Sequence, residues 1–136
     1  MRILALDVGE RRIGVAISDE SHLIAQPLEY IDILKGNPVN AIARLCRENS
    51  VSTVVIGLPL SMSGGDRGSS SRRARALGKV LEEKVKLTVI YFDERFTTTQ
   101  ADRVLIEGNV SRRKRKHMVD KVAASLILQG YLDSLK

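Results

Sequence analysis

The sequence predicts an α/β fold: a mixed sheet of about five strands, three antiparallel and then two parallel, flanked by helices. Three observations carry this. Residues 2–18 contain two strand-like segments joined by a turn too short for a parallel crossover. From Asn37 onward, helical and extended patterns alternate. The chain then closes on one long segment whose apolar residues recur at helical spacing.

Taken in order, residues 2–8 alternate, with Ile3, Ala5 and Asp7 on one face and Leu4, Leu6 and Val8 on the other. Gly9-Glu10-Arg11-Arg12 turns the chain, and Ile13–Ser18 is a second, antiparallel strand. A weaker third strand spans about Leu23–Ile31, and Pro27 suits it to an irregular or edge position. Asn37-Pro38 signals a helix start, and Ile42, Leu45 and Cys46 form its apolar stripe, ending near Asn49. Val51–Leu58 is a buried type of strand closed by Pro59. Ser61–Ser71 is rich in Gly and Ser without apolar periodicity, which predicts a mobile loop. A helix follows with Ala74, Leu77, Leu81 and Val85 inward, and Leu87–Phe92 is the last strand. Thr98 or Thr99 can cap a short helix running through Glu107 and stopped by Gly108. The final helix is expected from about Met118 to Leu135. With 136 residues and no long linker, residues 1–136 are expected to form one domain.

Composition narrows the function classes. No apolar run reaches the roughly 18–20 residues needed to span a bilayer, and the N-terminus does not read as a secretory signal. A single cysteine, Cys46, cannot form an internal disulfide, and nothing groups Cys and His for zinc. A cytoplasmic protein without membrane partners is expected. The formal net charge of +6 favours polyanions, and nucleic acid is the commonest of these. The charge is concentrated: Arg112, Arg113, Lys114, Arg115 and Lys116 are consecutive.

Three carboxylates stand out against this background. Asp7 ends a strongly apolar strand just before a glycine turn, where an uncompensated charge is costly to bury. Bonding to the amides of its own turn is the simple structural alternative. Asp93 and Glu94 end the last strand, and ligand sites in open α/β sheets lie at the carboxyl ends of parallel strands. Alternation sends these two side chains in opposite directions, so only one can face a shared site. On the final helix, Val119, Val122, Ala123, Leu126 and Ile127 trace one buried face. At 100° per residue Asp120 falls about 20° from Ile127, on the rim of that face. Converging carboxylates need a counter-charge, and oxygen donors suit Mg²⁺ or Mn²⁺. Two such ions about 4 Å apart can activate a water and stabilise a leaving oxygen in phosphodiester hydrolysis. The chain's two histidines, His22 and His117, offer little material for a histidine mechanism.

The sequence also resembles a known family. The matching blocks are Leu6-Asp7-Val8-Gly9 with Arg12–Ala16 and Ser18-Asp19, Val55-Ile56-Gly57-Leu58-Pro59, Asp93-Glu94-Arg95-Phe96-Thr97-Thr98, and Asp120-Lys121-Val122-Ala123-Ala124 with Ile127-Leu128-Gln129. In this order, over nearly the whole chain, they resemble the YqgF/RuvX family. The resemblance implies an RNase H-like fold related to the RuvC resolvases and a bacterial cytoplasmic nuclease acting on the 5′ end of pre-16S rRNA. Resolution of Holliday junctions is an older reading of the family. The resemblance also assigns Asp7, Glu94 and Asp120 as catalytic, metal-binding acids. In the wider superfamily the second carboxylate ends the fourth strand, where this chain has Gly57-Leu58-Pro59. Glu94 must substitute for it, with Asp93 as the other candidate.

An acidic centre repels the phosphates it must cut, so it needs a basic collar. Arg11 and Arg12 follow Asp7, and the 112–116 run precedes Asp120. These are the expected nucleic-acid-binding residues, with Arg67, Arg72, Arg73 and Arg75 as a further wall. Two Phe, three Tyr and no Trp leave few platforms for base stacking and favour recognition by backbone and shape. The expected activity is metal-dependent hydrolysis of structured RNA or branched DNA, by a monomer or weak homodimer. A non-catalytic RNA-binding ribosome-assembly factor is the competing class. An actin-like phosphotransferase would use a similar hairpin, but it needs two lobes around its nucleotide and this chain has room for one.

Overall fold

The structure, a computed structural model, describes residues 1–59, 68–93 and 112–135, and of residues 112–121 the backbone alone. Five strands form one sheet: β1 (Arg2–Val8), β2 (Arg12–Ser18), β3 (Ala25–Asp32), β4 (Val51–Leu58) and β5 (Thr88–Asp93). Their order is β3-β2-β1-β4-β5. The β1–β2 and β2–β3 pairs are antiparallel, and β1–β4 and β4–β5 are parallel. This is the predicted mixed sheet. Helices α1 (Pro38–Glu48), α2 (Gly68–Val80) and α3 (Arg112–Ser134) accompany it. The predicted helix near Thr98–Glu107 lies outside the described residues.

The β1–β2 turn is tight. Gly9 N–H donates to Arg12 O at 2.9 Å, and a Cβ on Gly9 would stand 2.8 Å from that same carbonyl oxygen. The obstacle is backbone and cannot swing aside. Gly9→Ala is therefore expected to destabilise the protein by about 1–3 kcal/mol, the usual range for forced overpacking, as measured by urea denaturation.

At the edge, Pro27 pairs with Ala16, and the register shifts between Val15 and Ala16, so β3 bulges at this point. The strand begins at Ala25 and not at Leu23, because Leu23 and Ile24 give their amides to the Asp19 carboxylate instead, at 2.8 and 3.0 Å. Ser21 Oγ donates to the same carboxylate at 2.6 Å. The Ile24 amide, the Ser21 hydroxyl and the Leu23 amide hold the Asp19 carboxyl far below the usual carboxylate range. Buried Ser18 is satisfied by accepting from Ile3 N–H at 2.8 Å and donating to Asp19 O at 2.9 Å.

Helix α1 starts as its sequence predicts. Asn37 Oδ1 accepts from Val39 and Asn40 N–H at 2.9 and 3.3 Å, and Pro38 occupies the first turn, where no amide donor is needed. Ile42, Leu45 and Cys46 are buried. Cys46 lies in an apolar layer, and burial pushes its thiol pKa up to about 11. At pH 8 roughly one thiol in a thousand is then ionised, and the thiolate is the reactive form. An aromatic disulfide reagent should label Cys46 at least about 100-fold more slowly in the native protein than in concentrated urea.

Two further predicted boundaries are corrected. Helix α2 begins at Gly68, so Gly68–Ser71 are helical and not part of the predicted loop. Serines favour a helix's first turn, where they bond free amides. Helix α3 begins at Arg112, about six residues before the expected start, and the basic run is thus helical. Arg and Lys are good helix formers, and their lack of apolar periodicity hid this turn and a half. After Val80, α2 continues as a π-helical turn, Leu81–Val85, closed by Lys86 at φ 64°. Lys86 is non-glycine in the left-handed region, a helix stop that sequence did not signal.

The sheet has a core on each face. Leu4, Leu6, Val54 and Ile56 pack with Ile42 and Leu45 of α1 and Ala74 of α2. On the other face Ile3, Ala5, Ala16 and Val55 pack with Ala124, Ile127, Leu128 and Leu132 of α3. Small residues pave this second face, which lets α3 lie close to the strands. The Gln129 carboxamide secures the helix to the sheet edge: Ala25 N–H donates to its Oε1, and its Nε2 donates to Leu23 O, both at 2.9 Å.

Candidate functional site

Strand register assembles the surroundings of Asp7. On the α3 face, Ala16, Ala5, Val55 and Ile90 form one row across β2, β1, β4 and β5. The next row toward the carboxyl end of β1 holds Gly14, Asp7, Gly57 and Phe92. Asp7 pairs with Gly14, Gly57 pairs with Phe92, and Asp7 lies one residue beyond the Leu6–Ile56 pair. Half-buried Asp7 therefore stands between two glycines that add no side chain to its face. Glycine inside a strand weakens it and often marks the close approach of a ligand or another backbone. Sequence analysis singled out Asp7 and held Gly14 and Gly57 in its matching blocks, but missed that they flank Asp7. Their signal is strand register: both lie on the α3 face of the strands that flank β1.

At the far edge, Asp93 pairs with Leu58 and shares its face with Val89 and Tyr91, which pack against the α1–α2 core. Ile90 and Phe92 pack with the α3 core. Asp93 thus lies on the opposite face from Asp7. Glu94 lies outside the described residues. Position 120 lies on the backbone of α3, three and four residues before buried Ala123 and Ala124 and seven before Ile127, and so shares their stripe. Among the described residues no group of three His, Cys, Asp or Glu side chains is placed to hold a metal ion.

The collar is described in part. Arg11 and Arg12 sit at the β1–β2 turn, beside the end of β1 that carries Asp7. Arg11 pairs with Asp32 Oδ2 at 3.6 Å, yet its side chain remains 60% exposed. The Leu34 amide, first, and then Arg11 hold the Asp32 carboxyl below its ordinary value, against a raising effect of burial. Arg12 is half-buried. Arg112, Arg113, Lys114, Arg115 and Lys116 form the first turns of α3. Asp19 lies after the carboxyl end of β2, at the opposite end of the sheet from Asp7, so the Ser18-Asp19 part of the motif organises a turn.

This five-stranded mixed sheet with its covering helices has the fold of the RNase H-like class. The Fowlpox virus Holliday junction resolvase superposes with a TM-score of 0.62 at 16% identity, covering all of both chains. Thermus thermophilus RuvC, solved with a Holliday junction substrate, gives 0.59 at 13% identity over 99% of this chain and 96% of that one. Within the class, the profile of the RuvX family, described as Holliday junction resolvase, matches residues 1–134, and the chain belongs to that family. A Lactobacillus acidophilus relative is 50% identical over 98% of this chain and 96% of its own length. A Bacillus cytotoxicus relative is 47% identical over 98% and 99%. Both carry the name "Putative pre-16S rRNA nuclease". No helix among the described residues is long and apolar enough to cross a membrane.

Proposed function

We propose that this chain is a divalent-metal-dependent nuclease that hydrolyses phosphodiester bonds in structured RNA, trimming the 5′ end of pre-16S rRNA in the cytoplasm. The observation that carries the reading is Asp7, held between Gly14 and Gly57 on the face that α3 covers. Asp7, Glu94 and Asp120 are its metal-binding acids. Because Asp93 shares the opposite face of β5, Glu94 is the better candidate from that pair. Helix geometry supports Asp120. Gln129 binds Ala25, which pairs with Ser18, and Ser18 bonds Ile3 at the start of β1. From position 129 back to 120 is about 13 Å of helix at 1.5 Å per residue. From Ile3 to Asp7 is about 13 Å of strand at 3.3 Å per residue. With α3 running antiparallel to β1, these equal lengths support Asp120 as the third acid.

The donor set consists of carboxylate oxygens, which suits Mg²⁺ or Mn²⁺ and not a soft metal. When bound, such ions supply an activated water and charge stabilisation at the leaving oxygen. Asp7 anchors the centre, and the two glycines leave room for a phosphate beside it. Arg11, Arg12 and the 112–116 run offset the repulsion between the acids and the substrate backbone. The chain acts as one domain, residues 1–136, as a monomer or weak homodimer.

Likeness to two junction resolvases favours one second reading, cleavage of branched DNA. Wild type and Asp7→Asn, each with Mg²⁺ or Mn²⁺, are given a pre-rRNA leader and a four-way DNA junction. Cutting of the leader by wild type alone supports the proposal, and cutting of the junction alone supports the resolvase reading. Salt-sensitive RNA binding without cleavage would make the protein an assembly factor, and equal cutting by both proteins would sink the acid mechanism.

A further inference from the structure

Among the described residues, two buried side-chain polar atoms find no hydrogen-bond partner in the protein: Ser71 Oγ and Arg73 Nε. Both belong to the start of helix α2. Ser71 is fully buried, on the inward stripe with Ala74 and Gly78. A buried hydroxyl without a partner is destabilising, and native proteins keep few such groups. Arg73 lies back along the same turn, a terminal guanidinium nitrogen donating to Ser70 Oγ at 3.3 Å. The first amides of an α-helix also lack acceptors within the helix, and its dipole makes that end positive. Helical side chains tilt toward the N-terminus, which directs the Ser71 hydroxyl at these amides. No acid occupies the first turn of α2, and Glu82 and Glu83 lie in the π-helical continuation at its far end. No atom stands within 4 Å of the place that a Cβ on Gly68 would take, so the helix mouth is open beside it.

The packing of α2 locates this end. Gly78 stands against Tyr91 and Ile56. Helix α2 runs back from the end of β4 to the start of β5, so the step from Gly78 to Ser71 leads toward the carboxyl edge. That step is about 10 Å of helix at 1.5 Å per residue. From Ile56 to Leu58, where β4 ends, is about 7 Å of strand. Ser71 is thus at the edge that carries Asp7, on the face opposite α3.

We propose that the first turn of α2 is a phosphate-binding subsite, in which Ser71 Oγ, Arg73 Nε and the first amides of the helix donate to one phosphate group. Donors without acceptors, gathered at the positive end of a helix dipole, select an anion with several acceptor oxygens. The sheet lies between this turn and Asp7, so the phosphate held here is not the one cut at Asp7. A nucleic acid would supply it from a further nucleotide or from a chain end. That source rests on the nuclease reading; the subsite does not.

The test uses metal-free protein, so that nothing is cut, and inorganic phosphate against chloride at matched ionic strength. Phosphate should raise the wild-type melting temperature by about 5 °C or more once it exceeds Kd roughly 20-fold. Without phosphate, S71A should melt at or above the wild-type temperature, because it removes an unsatisfied buried group. It should bind phosphate roughly tenfold or more weakly, the usual worth of a hydrogen bond to a charged group. R73Q should weaken phosphate too, and K79Q, whose cation lies outside the turn, should not. Should S71A fold poorly, R73Q alone decides. No phosphate effect on wild type, or unchanged affinity in the variants, overturns the proposal and makes Ser71 a packing residue. A 5′-phosphorylated RNA hairpin and its 5′-hydroxyl counterpart then distinguish the sources. Weaker binding of both by S71A assigns a backbone phosphate, weaker binding of the first alone a terminal one, and unchanged binding of both a free phosphate ion. If Asp7→Asn cleaves like wild type, the nuclease reading falls while the phosphate result stands.

Discussion

Asp7→Asn is expected to abolish metal-dependent cleavage without unfolding the protein. The substitution keeps volume and shape but removes the formal charge and replaces one oxygen donor with an NH2 group that cannot ligate a cation. Asp7 has glycines on both flanking strands, so no neighbouring side chain in its row can take over. The loss should exceed the roughly 10²–10³-fold that removal of a single electrostatic contact costs an active site. Single-turnover assays at saturating metal measure it. A melting temperature close to wild type and unaltered nucleic-acid binding without metal would show that the defect is chemical. Activity within tenfold of wild type would mean that Asp7 is a turn residue bonding its own backbone.

The largest stability effect is expected from Leu128→Ala. Leu128 is fully buried where α3 meets the sheet, in a cluster with Ile3, Ala5 and Ala16. The strand residues beneath are small, so truncation leaves a cavity that the close-packed backbone cannot easily fill. Such changes cost about 2–5 kcal/mol, from lost burial and from the void itself. At roughly 3–5 °C per kcal/mol for a chain of this size, the melting temperature should fall by about 6–25 °C. Calorimetry with urea titration measures both. If α3 aligns position 120 with Asp7, the variant should also lose activity at temperatures where it remains folded. A drop below about 1 kcal/mol would show that α3 adapts its packing.

Much of this architecture was legible because single residues carried unambiguous geometry. Asn37-Pro38 can only open a helix well, and Pro27 can sit only where a strand lacks a partner or bulges. Alternation in residues 2–8 assigned Asp7 to the face of Ile3 and Ala5, the face that α3 covers. What stayed hidden depends on pairing or on polar helices. The early start of α3 was masked because five consecutive cations have no apolar period to read. The face that Asp93 takes could not be assigned until the faces of Val89 to Phe92 were known. Gly14 and Gly57 gain meaning only from strand register, which places them beside a carboxylate distant in sequence from Gly57.

The bulge and proline in β3 bear on how two copies of this chain could cooperate. An outer strand with an unbroken row of amides and carbonyls invites a second molecule to extend the sheet across the boundary. Here Pro27 contributes no amide, and the bulge beside it puts the remaining donors out of step. Two copies working on a symmetric four-armed substrate would have to meet through side chains elsewhere, and a continuous ten-stranded sheet joined at β3 is disfavoured. The same irregularity protects the protein at high concentration, since the edge that holds the Gln129 clamp is a poor template for ordered aggregation.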